Sequence, residues 1–242
     1  KIMKTILEIC REVADLAATK RPVNLFDKNS QQESIFLSVA KSALDSLLRY
    51  GDWQELTKEG CLRTVEGRTQ YPISEFLPDF YCLLNNTIFI KDSKERIIGA
   101  ITPEQWMREK YFFSPGNGIK FKIQNGRFVF LTPPAGGLRI VFQYRSNGIV
   151  WDFDTFEEKS VLTANTDVPI FDEYLVKLNI LWRWLKRSGL DYGEEYDEFQ
   201  RELKKRFGSE RAAANINLAY QTENQSLGGV TINEIKVSST GQ

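Results

Sequence analysis

Residues 171–188, FDEYLVKLNILWRWLKRS, decide how the rest of the chain is arranged. Phe171, Tyr174, Leu175, Leu178, Leu181, Trp182 and Leu185 recur at the three- and four-residue steps that keep side chains on one side of an α-helix. Val176, Ile180 and Trp184 form a second row, roughly opposite the first at about 100° per residue. A helix on the surface of a monomer needs only one apolar stripe. The spare row predicts cover by something besides the helix's own domain, so Val176, Ile180 and Trp184 are the candidate contact between subunits. Trp184 leads that set because aromatic side chains are enriched at interface centres. The alternative is that Trp184 is covered by the next helix of the same chain. Gly189 supplies a left-handed stop, with Lys186 and Arg187 in the last turn, where the helix dipole favours cations.

Toward the N-terminus, Thr5-x-x-Glu8 is a capping-box pattern ahead of Ile6, Ile9, Cys10, Val13, Leu16 and Ala17 at helical spacing. Ser30-x-x-Glu33 repeats the device before a longer amphipathic helix that Gly51 closes. From Trp53 to about Trp151 the chain turns to aromatics, β-branched residues and turn signals. Residues 61–65 and 69–73 flank Glu66-Gly67-Arg68 and predict a hairpin. Residues 80–90 read as a strand kinked at Asn85-Asn86, with 96–101 as its partner. A short helix over 103–110 has Thr102 as its cap, and strands follow over 120–123, 127–131 and 138–144. Beyond the 171–188 helix, a second helix from Glu194 through Phe207, extending toward Tyr220, predicts a helical hairpin.

The expected fold is therefore α+β: a helical bundle from N- and C-terminal helices, an inserted small antiparallel β domain and an extended C-terminal arm. Its parts are 1–52 (N-terminal helices), 53–151 (β domain), 152–220 (loop and helical hairpin) and 221–242 (arm). The arm is rich in Gln, Thr, Asn, Ser and Gly, yet ends in strand formers, Val230, Ile232, Ile235 and Val237. A strand-forming end with no following partner in sequence suits addition to another protein's sheet.

Composition narrows the chemistry. There is no histidine in 242 residues, which removes Ser-His-Asp and Cys-His catalysis and His-ligated zinc. Lysine plus arginine and aspartate plus glutamate both number 32, so the formal charge is zero, against a dedicated duplex-DNA binder. Cys10, Cys61 and Cys82 lie far apart and read as reduced, semi-buried residues. No run approaches the length of a membrane span and no segment reads as a signal peptide. The glycines form no phosphate cradle, and no cofactor or metal is expected. The acidic stretch WDFDTFEEK is the one enzymatic alternative. Asp152 and Asp154, one residue apart, would share a face on a strand. With Glu157 and Glu158 they could serve a carboxylate-dependent cell-wall hydrolase; the plain reading is a solvated loop. A third possibility is a bacterial adaptor or binding module.

The order of parts resembles the head-to-tail adaptor proteins of tailed bacteriophages, of the tail tubular protein A type found in short-tailed phages. The resemblance runs from Thr5 to about Tyr220. It is carried by the N-terminal helix pair followed by Trp53, by Tyr71-Pro72-Ile73 with Phe76-Leu77-Pro78-Asp79-Phe80, by FVFLTPPAGGLRIVFQY (128–144), and by the aromatic helix, Gly189-Leu190-Asp191 turn and Tyr196-bearing second helix. It implies a non-enzymatic virion protein at the head–tail junction, made in the host cytoplasm. Such a protein forms a ring of about twelve copies, a dodecamer, under the portal protein and receives a tail or nozzle protein. Genomic DNA would pass through the lumen without sequence-specific binding, no membrane would be involved, and the arm would dock on the portal.

Overall fold

The computed structural model describes residues 3–112 and 118–215, and the chain divides into two units, Lys1–Tyr192 and Gly193–Gln242. Thr5 opens the first helix reciprocally: its hydroxyl accepts from the Glu8 N–H, and the Glu8 carboxylate accepts from the Thr5 N–H. That helix, α1 (Ile6–Leu16), buries Ile6, Ile9, Cys10, Val13 and Ala14. At the second helix, α2 (Gln31–Tyr50), Ser30 accepts from the Glu33 N–H as the pattern predicts. The Glu33 carboxylate instead accepts from the N–H groups of Val23 and Asn24, which fixes the connection between the two helices. Gly51 closes this helix as expected, as its C-cap, with an extended backbone at φ −173° and ψ −171°.

The quoted stretch forms α4 (Glu173–Ser188), with Asp172 accepting from the Tyr174 and Leu175 N–H groups and Gly189 left-handed at φ +72°. It packs against both α1 and α2. A shorter helix, α3 (Pro103–Tyr111), is capped by Thr102 and Gln105. The fifth, α5 (Gly193–Asn215), belongs to the second unit and runs through Gly208 without a break.

Between α2 and α4 lie three small antiparallel sheets. In the largest, β7 (Arg139–Ser146) pairs with β1 (Thr57–Arg63) on one side and with β3 (Phe80–Leu83) and β4 (Phe89–Ile90) on the other. The second has the order β2 (Gln70–Pro72), β6 (Arg127–Phe130), β5 (Phe121–Gln124). The third joins β10 (Val168–Pro169), β8 (Val150–Trp151) and β9 (Glu158–Lys159). The protein is thus a mixed α+β molecule, with five helices and small antiparallel sheets among the described residues.

Two expected pairings are corrected. The Glu66-Gly67-Arg68 turn forms, with Gly67 at φ +74°, but the strands on either side go to different sheets, β1 to β7 and β2 to β6. Tyr71 closes that turn through its hydroxyl, bonded to both backbone groups of Val65 and to the Arg68 carbonyl. Likewise β3 and β4 both pair with β7, leaving one bridge, Phe89 to Arg96, of the expected partner strand. The Asn125-Gly126 hairpin between β5 and β6 forms with both residues at positive φ.

The first two sheets share one core of Leu62, Tyr71, Ile88, Phe121, Phe128, Phe142 and their neighbours. Phe128 of β6 meets Phe142 of β7 with ring centroids 5.2 Å apart. Gly60 lets the Phe142 ring in, because a Cβ there would lie 2.7 Å from it. Two of the ties between helices and sheets lie at the end of α2. Trp53 is buried, donates its Nε1–H to the Leu47 carbonyl at 2.6 Å and meets Phe171 edge-on. Buried Arg145 of β7 donates to the Gly51 carbonyl and to Asp52 at the end of α2.

Candidate functional site

The three side chains expected between subunits lie inside one chain. Val176 and Ile180 have no solvent exposure and Trp184 has 6%. The reason is the place of α4 in the helical layer, with α1 against it on one side and α2 on another. Lys177 reaches Glu12 of α1, whereas Asn179 donates to the Ala43 carbonyl and to Ser46, and Arg183 to Ser42, all on α2. Trp184 stacks on Phe36, also of α2. Two apolar rows are thus what a helix between two others requires, and the expectation of an interface through Val176, Ile180 and Trp184 is corrected. Val230, Ile232, Ile235 and Val237, the expected portal-docking strand, lie outside the described residues.

The acidic stretch does not converge on one site. Asp152 Oδ1 accepts from the N–H groups of Asp154 and Thr155, and Oδ2 from Lys159 at 2.9 Å. These bonds, the Lys159 ammonium foremost, hold its carboxyl down at about 2. Lys159 also contacts Asp167 at 2.5 Å and the Thr163 hydroxyl, and Asp167, almost wholly buried, accepts in addition from the Thr163 and Ala164 N–H groups. Glu158 turns the other way, to Lys58 at 2.6 Å and to the Ser146 hydroxyl. Lys58 also holds Asp79, which accepts from the Tyr144 hydroxyl at 2.9 Å. Burial, and then the bond to Asp79, push the Tyr144 phenol up to about 12. Asp154 and Glu157 are exposed. Among the described residues no group of three or more His, Cys, Asp or Glu is placed to hold a metal.

Sequence reasoning missed these two lysine-centred networks, because Lys58 and Asp79, or Lys159 and Asp167, become neighbours only through strand pairing. It also missed two exposed apolar surfaces. One is the tip between β8 and β9, where Phe153 and Phe156 stand 50% and 66% exposed. The other is α3, which buries none of its residues and leaves Met107 and Tyr111 in solvent. Cys61, expected to be semi-buried, is exposed on β1; Cys10 is buried and Cys82 half-buried. No described helix is long and apolar enough to cross a membrane. No protein-family model matches the chain, and no curated protein is similar to it in sequence.

Proposed function

We propose that this chain is a structural head-to-tail connector of a tailed-phage virion. It assembles as a ring that joins the portal to the tail and lets the genome pass. The observation that supports this reading best is the chain order of the packed elements. Helices from the N-terminal part, α1 and α2, pack with α4 from the C-terminal part, and the sheets are inserted between them. In this reading the β part meets tail components, and residues 221–242 form an arm toward the portal. The zero net charge suits a lumen through which DNA slides, since dense phosphate contacts would retard it. In the hydrolase alternative Asp152 is ill suited to the proton-donor role, because Lys159 and the Asp154 and Thr155 N–H groups hold it ionised.

The test is electron microscopy of the purified chain mixed with the portal of its own phage. A ring of density beneath the portal, lost or weakened on deleting 221–242, is the expected result. A portal left bare at saturating protein overturns the reading.

A further inference from the structure

Phe156 sits in the left-handed region at φ +55°, a conformation that disfavours bulky side chains. Its ring gains no burial there. Beside it Phe153 is half exposed, so two aromatic rings crown one short loop that core packing does not explain. The loop is nonetheless tightly built. The Phe156 N–H donates to the Asp152 carbonyl, the Asp152 N–H donates to the Glu157 carbonyl, and the Asp152 carboxylate is anchored by Lys159 and, through it, by buried Asp167. Rings held this way lose little freedom on docking. The carboxylates exposed around them are Asp154 and Glu157, so a receiving surface must be apolar with a cationic rim.

The same chain carries such a surface. On α3, Met107 and Tyr111 are one turn apart and 51% and 69% exposed, and Phe112 follows at 80%. Lys110 extends over the Tyr111 ring, and Lys122 lies over Trp106 on the inner side of the helix. This helix is held through Glu109 to Lys120, an ion pair of 2.6 Å, and buries none of its residues, so Met107 and Tyr111 lie open beside the exposed Glu104–Arg108 ion pair and Lys110. In one chain both surfaces stay exposed.

We infer that copies of this chain associate head to tail, the Phe153–Phe156 tip of one seating on the Met107–Tyr111 face of α3 in the next. Two different surfaces make a heterologous contact, which repeats around a ring when the rotation closes. A contact this small is weak alone, and closure strengthens it because every copy is then held on both sides. The inference deepens the connector reading by naming the contact between its subunits.

Sedimentation velocity on the full chain tests it with two variants, Phe153→Ser/Phe156→Gly and Met107→Ser/Tyr111→Ser. Phe156→Gly relieves the left-handed strain, so the first variant is expected to melt no lower than the parent, which controls for folding. Wild type is expected to assemble as its concentration rises, and each variant to stay monomeric. An equimolar mixture of the two is expected to go no further than dimers, since it retains one intact contact per pair and cannot close a ring. Charge exchange gives an independent arm: Lys110→Glu weakens assembly and Glu157→Lys restores it. Wild-type assembly that survives both sets of substitutions overturns this contact, and so does a mixture that assembles beyond dimers or a wild type that never self-associates. The connector reading is judged separately by occupancy of the portal, so the two fail apart.

Discussion

The indole of Trp184 lies flat on the ring of Phe36, with centroids 3.8 Å apart and planes 9° from parallel. One ring comes from α4 and the other from α2, and both are buried. This stack converts the spare apolar row of the 171–188 helix into core. Trp184→Ala is therefore expected to cost about 3–5 kcal/mol, the range for emptying a large aromatic site, as read from urea unfolding. Trp184→Glu places an unpaired carboxylate in the same position, and the expected product is an unfolded chain, not a folded one that fails to assemble. A Trp184→Glu protein with the parent melting temperature would contradict this placement.

Lys159→Met leaves buried Asp167 without its cation. The loss of stability is expected to be about 3 kcal/mol, since breaking one side of a buried pair strands the other charge. Asp154→Ala, on an exposed carboxylate of the same loop, is expected to change stability by less than about 0.5 kcal/mol. Denaturant titration of the two variants side by side checks the contrast, and equal losses would contradict it.

The acid limb of the stability profile follows from Asp152. Lys159 first, and the N–H groups of Asp154 and Thr155 next, lower its folded-state pKa to about 2, against about 3.9 in an unfolded chain. A depressed pKa contributes stability that is present above pH of about 4 and is lost as pH falls toward 2. Asp79 acts in the same direction: burial opposes its ionisation, but Lys58 and Tyr144 outweigh it and the carboxyl is lowered. Melting temperatures of wild type and Asp152→Asn are expected to differ at pH 5 and to converge as pH falls to about 2. A constant gap across that window would count against the assignment.

Gly60→Ala is expected to cost about 1–3 kcal/mol, because its Cβ would sit 2.7 Å from the Phe142 ring in a closed core. Gly67→Ala meets no atom within 4 Å and is expected to cost only the left-handed strain, about 1 kcal/mol. Shortening the ring in Gly60→Ala/Phe142→Leu is expected to show favourable coupling in a double-mutant cycle. Strict additivity would mean that contact with Phe142 is not what excludes the side chain.

The features legible in the sequence are those decided within a few residues. Thr5 with Glu8 closes a capping box, Thr102 caps α3, Asn125-Gly126 turns a hairpin, and Gly189 ends α4 left-handed. Each rests on a bond or a backbone angle that neighbours in sequence supply. Glu33 shows where such reading stops: it stands at the capping-box position, yet its carboxylate serves the Val23 and Asn24 N–H groups.

By itself the sequence determined that residues 171–188 form a helix apolar on two sides, that strands fill the middle of the chain, and that histidine chemistry is absent. Periodicity and composition are local quantities and survive without coordinates. Tertiary structure alone decided what covers each apolar row, which strands pair, and which lysine meets which carboxylate. The reason is physical: an apolar row registers only the need to leave water, which α2 of the same chain satisfies as well as a neighbouring subunit would. Strand pairing is set by partners as distant as Thr57 and Arg145, so neither flanking turn reveals it.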